Sequence, residues 1–484
     1  MNNSLSADWN RVREAFQRIW GYEDFRPPQG EIVRCLLQKQ DALVVMPTGG
    51  GKSICFQLPA LLQTGLTIVV SPLVALMENQ VKALRDRQLF AASLHSELAR
   101  SQYKYNLSLL SQNRLRLLYV SPETLLKQSV WEILSQPQLI INGLILDEAH
   151  CLVQWGELFR PAYRRLGAVR SSLLKNKPQQ NRMAVAAFTA TADTKAQRII
   201  SEVLQLRSPQ TYLLNPYREN LALTVQIAWT QRCRRDRLFN FIRSRPKESG
   251  LVYVRPRKDG ENLADWLQAK GLTTAAYHAG LTPEERRDIE AQWLDDRLPF
   301  VVSTSAFGMG IDKADVRWIV HFQSPILLSE YVQEIGRAGR DRQPAEALAF
   351  VSEPTGWLDP QDKRRRNFFE RQARSQRKQA MRLAKTLPET GDVREISRQY
   401  KDGAIALSLL HSRRQLTWLD PFRYRMNFSA PISSSGGDRP DRDMVNYLYT
   451  RRCRWQFLLE AFGFDREARS MRCGKCDRCL QQRR

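Results

Sequence analysis

The stretch Ala42-Leu43-Val44-Val45-Met46-Pro47-Thr48-Gly49-Gly50-Gly51-Lys52-Ser53 decides the fold. An apolar run of strand length breaks into a glycine-rich turn, and a helical pattern follows directly. Backbone N–H groups of such a turn point inward and cradle phosphates at a helix N-terminus. Thr48, Gly49, Gly51, Lys52 and Ser53 are the candidate contacts. Lys52 is placed to reach the β and γ phosphates of a nucleotide, and the Ser53 hydroxyl to ligate Mg2+. Met46 stands where the simple phosphate-loop pattern has its first glycine; the chemistry of the turn is unaffected.

Working outward, short apolar runs alternate with helical or polar sequence. Residues 42–46, 67–70, 116–120, 143–146 and 183–188 read as buried strands, and the alternation predicts a parallel α/β sheet. The pattern repeats from about 223 to 351, with strand candidates at 250–254, 273–277, 300–303, 318–322 and 346–351. Residues 208–220, with Pro209 and Pro216, read as a linker between two α/β lobes.

Asp147-Glu148-Ala149-His150 ends the run 143–146, at a strand end where open parallel sheets bind ligands. Asp147 is the candidate magnesium ligand, and Glu148 the group that orients and deprotonates an attacking water. In the second lobe, Gln333-Glu334-Ile335-Gly336-Arg337-Ala338-Gly339-Arg340-Asp341 spaces two arginines by three. On a helix start, Arg337 and Arg340 would share a face and stabilise charge on a transferring phosphoryl group. The alternative for both is an ordinary surface arginine.

Bulk composition bounds the partners. The chain has 484 residues, too many for one core, with 74 Lys plus Arg against 50 Asp plus Glu, a net charge of +24. That excess suits a polyanion, nucleic acid first. No run of about 18 apolar residues spans a membrane and the start is polar, which predicts a cytoplasmic chain. Cys35, Cys55, Cys151 and Cys233 are scattered, as idle thiols are in a reducing compartment.

After Glu353 the character changes. Residues 363–385 hold ten basic residues and one acid, Glu370, at helical spacing. The segment reads either as a basic helix that contacts a partner or as a solvated connector. Residues 392–424 contain two short helical patterns and a possible hairpin at 417–419 and 422–424, the order of a small winged-helix-like unit. Its arginines Arg413, Arg414, Arg423 and Arg425 suggest a DNA grip. Last, Cys453, Cys473, Cys476 and Cys479 form C-x19-C-x2-C-x2-C, with Gly474 in the tight turn. Four thiolates without histidine predict a closed, structural Zn2+ site; disulfides and free thiols are the alternatives.

With these motifs in hand, the chain resembles the RecQ family of superfamily-two DNA helicases. Phe25-Arg26-Pro27-Pro28-Gln29 is similar to the family's adenine-reading segment, implying ATP contacts from Arg26 and Gln29. Ser71-Pro72-Leu73 with Gln80 resembles a motif that touches single strand. Thr189-Ala190-Thr191-Ala192 resembles the motif that couples hydrolysis to DNA. Arg257, Tyr277-His278-Ala279-Gly280, and Thr304 with Ala306-Phe307-Gly308-Met309-Gly310-Ile311-Asp312 resemble lobe-two motifs. The last implies that Gly310 and Asp312 touch nucleotide and Thr304 touches DNA. Gln154-Trp155-Gly156-Glu157-Leu158-Phe159-Arg160-Pro161 resembles the aromatic-rich loop. It implies base stacking by Trp155 and Phe159 and a phosphate or cation–π contact by Arg160. Glu157 and Leu158 stand where the family usually has His then Asp. The resemblance implies two RecA-like parallel-sheet lobes (1–207 and 208–352), a basic helical and winged-helix-like segment (353–432) and a zinc module (438–484). Longer family members continue past the zinc module; this chain stops five residues after Cys479 and reads as a short form. The implied activity is ATP-dependent, 3′–5′ translocation on single-stranded DNA with duplex unwinding, in repair or recombination, by a monomer at the nucleoid. The alternatives are an RNA helicase of the DEAH class and a translocase or annealing protein that separates no strands.

Overall fold

The computed structural model describes residues 2–154, 160–307, 313–355, 357–427 and 440–482. The chain divides into two units, Met1–Leu214 with Ala373–Gly436 and Asn215–Gln372 with Gly437–Arg484.

The first unit is built on seven parallel strands: β1 (Ala42–Val45), β2 (Leu66–Val70), β3 (Ala91–Leu94), β4 (Leu117–Val120), β5 (Ile141–Leu146), β6 (Ala184–Thr189) and β7 (Gln210–Leu213). Their order is β3-β4-β2-β5-β6-β1-β7. Apolar clusters cover both faces, one including Leu43, Ile68, Leu118 and Leu144, the other Val44, Val69, Tyr119 and Ile145. Burial on both faces is why β1, β2, β4, β5 and β6 are continuous apolar runs in the sequence. Residues 210–213 correct the linker expected over 208–220. They pair with β1 as an edge strand, Ala42 opposite Gln210, and their largely exposed side chains carry no apolar signature.

Because every pairing is parallel, the residues after β1, β2, β5 and β6 share one edge. Met46 N–H bonds Thr189 O at 2.9 Å, and Asp147 N–H bonds Val70 O at 2.9 Å, extending the ladders into those loops.

A small antiparallel sheet packs on this unit: β14 (Thr390–Asp392), β15 (Leu416–Trp418) and β16 (Arg423–Met426), in the order β14-β16-β15. With the helix Gln361–Ala384 before it and the helices Val393–Gln399 and Gly403–Ser412 inside it, the order is that of a winged helix. In helix-turn-helix units the second helix reads the major groove. Here that helix, Gly403–Ser412, buries Ala406, Leu407, Leu409 and Leu410 in a cluster shared with Ala168. The hairpin tip is also engaged. Phe422 meets Trp131 edge-on at 5.2 Å, and Arg165 donates to Pro421 O at 3.2 Å. The winged unit is therefore present as the sequence suggests, but the helix and tip that would grip DNA are spent on packing against the first lobe.

The second unit holds β8 (Leu221–Ile227), β9 (Gly250–Tyr253), β10 (Thr274–Tyr277), β11 (Phe300–Ser303), β12 (Trp318–His321) and β13 (Ala345–Val351), all parallel, in the order β10-β11-β9-β12-β13-β8. The cysteine-bearing segment is continuous with this core. Trp455 is buried and donates Nε1–H to Leu221 O at 3.1 Å, and Tyr447 bonds Tyr331 through their hydroxyls at 2.9 Å. Among the described residues no helix is long and apolar enough to cross a membrane.

Candidate nucleotide site and cysteine centre

Gly49 and Gly51 adopt φ of 81° and 78°, the left-handed region that only glycine enters freely, and the helix Lys52–Leu62 starts at once. The expected cradle residues Thr48, Gly49, Gly51, Lys52 and Ser53 thus line one turn at a helix N-terminus. Gln29 locks the upstream segment to it. Its Nε2 donates to Gly50 O at 3.0 Å and its Oε1 accepts Arg26 N–H at 3.0 Å. A side chain at Gly51 would collide with the Gln29 amide. The Arg26 side chain itself is exposed.

Above the loop, Lys52 Nζ lies 3.8 Å from Glu148 Oε1 and has no hydrogen-bond partner, although the atom is buried. A buried ammonium without hydrogen bonds is costly unless an anion meets it. It fits a phosphate. Burial pushes the Asp147 carboxyl up to about 6, with Glu148 adding to the rise and Lys52 opposing it. A buried carboxyl beside a second one and a hydroxyl, Ser53, at a strand end is a donor set suited to a hard cation such as Mg2+.

The DEAH segment is wired to β6. His150 Nδ1 lies 3.2 Å from Glu148 Oε2 and 3.1 Å from Thr189 Oγ1. Thr189 Oγ1–H donates to Thr191 O at 3.0 Å, so the hydrogen between ring and hydroxyl belongs to Nδ1. The Thr189-Ala190-Thr191 motif therefore reads the position of Glu148 through one imidazole.

Among the expected DNA contacts, Ser71 is buried after β2 and its hydroxyl has no hydrogen-bond partner. Gln80 accepts from Gln57 Nε2 at 2.8 Å. Arg160 is committed inside the protein, paired in a fork with Glu123 at 2.9 and 2.7 Å and donating to Pro72 O at 2.6 Å. Trp155 and Phe159 lie outside the described residues, as do Gly310 and Asp312. Thr304 is buried after β11, and its N–H donates to Tyr277 O at 3.1 Å.

Arg337 and Arg340 correct the helix-start expectation. The helix Leu328–Ile335 ends before them, and they sit in the turn that follows. Gly339, at φ 56°, donates to Val316 O at 2.7 Å and brings this turn against the sheet. Arg218 and Asn220 bond the carbonyl of Gly339 and hold the turn from outside.

Sequence reasoning singled out Arg257, which is exposed, and missed Arg255. Arg255 forks onto Glu334 at 2.9 and 2.7 Å, and His321 Nε2 meets the same carboxylate at 2.8 Å. The available signal was position: Arg255 ends the apolar run 250–254.

The four C-terminal cysteine Sγ atoms lie within 4.8 Å of one another, and Cys473 and Cys479 are 3.9 Å apart. Tetrahedral sulfurs at a Zn–S length of 2.3 Å are about 3.8 Å apart, far longer than a disulfide's ~2 Å. Backbone N–H groups of Cys473, Cys476 and Cys479 each donate to a cysteine sulfur at 3.4 Å, which favours thiolates.

A phosphate loop, paired carboxylates and a second parallel lobe with buried arginines define a two-lobed helicase-class nucleoside triphosphatase. Family models agree: DEAD/DEAH box helicase over 26–199, helicase conserved C-terminal domain over 233–342, and RecQ zinc-binding over 440–480. The ATP-dependent DNA helicase RecQ of a Synechocystis strain is 52% identical over 478 residues, 98% of this chain and 99% of that one. The Bacillus subtilis RecQ is 31% identical over 476 residues, 98% of this chain and 68% of that one. The Haemophilus influenzae RecQ is 39% identical over 342 residues, and this chain spans 53% of it. The chain belongs to the RecQ family of ATP-dependent DNA helicases. Two solved structures share the fold at 16% identity. Yeast Dbp5 bound to RNA and ADP BeF3 has a TM-score of 0.58, covering 72% of this chain and 90% of that one. Mycobacterium smegmatis Lhr bound to single-stranded DNA and AMP-PNP has 0.55, covering 90% and 61%.

Proposed function

We propose that this chain couples ATP hydrolysis to 3′–5′ movement along single-stranded DNA and to duplex unwinding, in DNA repair or recombination in the cytoplasm. The observation that carries the reading is the buried Lys52 ammonium, unmet by any hydrogen bond, beside Asp147 and Glu148 at the mouth of the glycine turn.

In this reading the backbone N–H groups of 48–53 and Lys52 hold the phosphates, and Gln29 with Arg26 borders the base. Ser53 and Asp147 would hold Mg2+, which supplies charge neutralisation on the phosphates when bound. Glu148 accepts a proton from the attacking water as its oxygen bonds the γ-phosphorus and the bond to ADP breaks. Arg337 and Arg340 offset the charge that develops on the transferred group. Thr304 and Ser71 meet the strand, with Trp155 and Phe159 stacking on its bases and Gly310 and Asp312 bordering the nucleotide. Cys453, Cys473, Cys476 and Cys479 hold a structural Zn2+, whose loss would cost the second unit its terminal packing.

The test is strand separation on duplexes with a 3′ or a 5′ single-stranded tail, with ATP. Separation of the 3′-tailed substrate alone is expected. DNA-stimulated hydrolysis without separation would make the chain a translocase, and stimulation by RNA alone would make it an RNA motor.

A further inference from the structure

The helix Gln361–Ala384 has two contrasting sides in its C-terminal half. Ala380 and Ala384 are buried in the winged unit's core. Arg371, Arg374, Lys378 and Arg382 are all exposed. Spaced by three, four and four, they fall within about 80° of one another, opposite the buried alanines, along ~16 Å of helix. The sequence from Arg371 to Pro388 contains no Asp or Glu. Among the described residues, none of the four forms an ion pair or a side-chain hydrogen bond.

Such a stripe is unfavourable alone. Arg374, Lys378 and Arg382 are like charges one turn apart, and each such pair costs a helix ~0.2–0.5 kcal/mol. Elsewhere this protein pairs its arginines freely: Arg394 with Asp392, Arg423 with Asp420, Arg198 with Glu202. A straight row of four unpaired cations on a rigid support is complementary to a regular row of phosphates. The duplex is the form of DNA that presents one, because its phosphates repeat at a fixed spacing of ~3.4 Å of axis per strand. A single strand has no fixed row to match.

We propose that the Arg371–Arg374–Lys378–Arg382 stripe is a duplex-DNA backbone contact, separate from the motor's strand-binding motifs. It also replaces the grip expected of the winged unit, whose helix Gly403–Ser412 is buried. The proposal rests on the DNA-helicase reading only for the choice of polyanion.

The test measures binding of the full chain to a blunt duplex and to a single-stranded oligonucleotide by fluorescence anisotropy across 50–200 mM salt. The variant Arg371→Gln/Arg374→Gln/Lys378→Gln/Arg382→Gln should reduce the slope of log affinity against log salt for duplex by about 3 to 4. Duplex affinity near 0.1 M salt should fall roughly tenfold or more. The all-lysine version of the stripe should keep the wild-type slope, since the contact uses charge. ATP turnover at saturating single strand should be unchanged in both, which also reports that they fold. An unchanged duplex slope in the glutamine variant overturns the proposal, and so does an equal loss on single strand. A wild-type protein that binds duplex this way yet shows no DNA-stimulated turnover would sink the motor reading and leave the stripe standing.

Discussion

The two large sheets are alike in construction and opposite in how their functional edges handle charge. At the first sheet's edge Lys52 is buried with no hydrogen bond, and Asp147 is pushed up to about 6 by its burial and by Glu148. At the second, Arg255 forks onto Glu334 and His321 joins the same carboxylate. Burial works to raise Glu334, yet Arg255 and His321 overcome it and hold it down at about 2. Arg234 is likewise buried between Asp359 and Asp362. A buried ammonium left without hydrogen bonds marks a place where a ligand completes the electrostatics; charge already paired and hydrogen-bonded marks a scaffold.

Substitutions should separate the two. Lys52→Ala should reduce ATP turnover by more than about 10³, the scale of losing a preorganised charge on a transferring group. Its thermal midpoint should stay level, because a buried ammonium without hydrogen bonds stabilises little. A large drop in midpoint would break the comparison. Glu334→Ala should do the reverse, leaving Arg255 buried and unpaired at a cost of about 3–5 kcal/mol in urea unfolding. Retained stability with lost turnover would move Glu334 into the chemistry. The same pair sets a pH dependence. Glu334 has a folded value near 2 against about 4.3 unfolded, so its contribution is complete above about pH 5 and is lost as pH falls toward 2. The stability gap between wild type and Glu334→Gln should therefore narrow from pH 5 to pH 3; a constant gap would mean that ionisation of Glu334 contributes nothing.

Legibility followed burial and locality. Strands β1, β2, β4, β5 and β6 were readable because both their faces are covered. Strand β7 was not, with its side chains mostly in solvent, and β8 alternates only weakly. The glycine turn and the two carboxylates were readable because each is a local segment at a strand end. Arg255 and Glu334 are 79 residues apart, and their meeting depends on β12 lying beside β9, which no local pattern states. The helical patterns in 392–424 were readable as local periodicity, but not that Gly403–Ser412 is buried in a cluster shared with Ala168 of the first lobe. The cysteine spacing was the opposite case, since Cys473, Cys476 and Cys479 sit within seven consecutive residues.

The smallest expected effect tests the wire between Glu148 and the rest of the lobe. Thr189→Val keeps volume and removes the hydroxyl that joins His150 to Thr191. The ring would then keep only Glu148 and the Cys151 thiol as partners, and β6 would lose its imidazole link to the carboxylate. Turnover without DNA should stay within about threefold, while stimulation by DNA falls roughly tenfold, the worth of ~1.4 kcal/mol in coupling. Serine at the same position restores the hydroxyl and should restore stimulation. Equal losses with and without DNA would show that Thr189 merely positions Glu148. The first edge would then carry its chemistry without reporting on the strand.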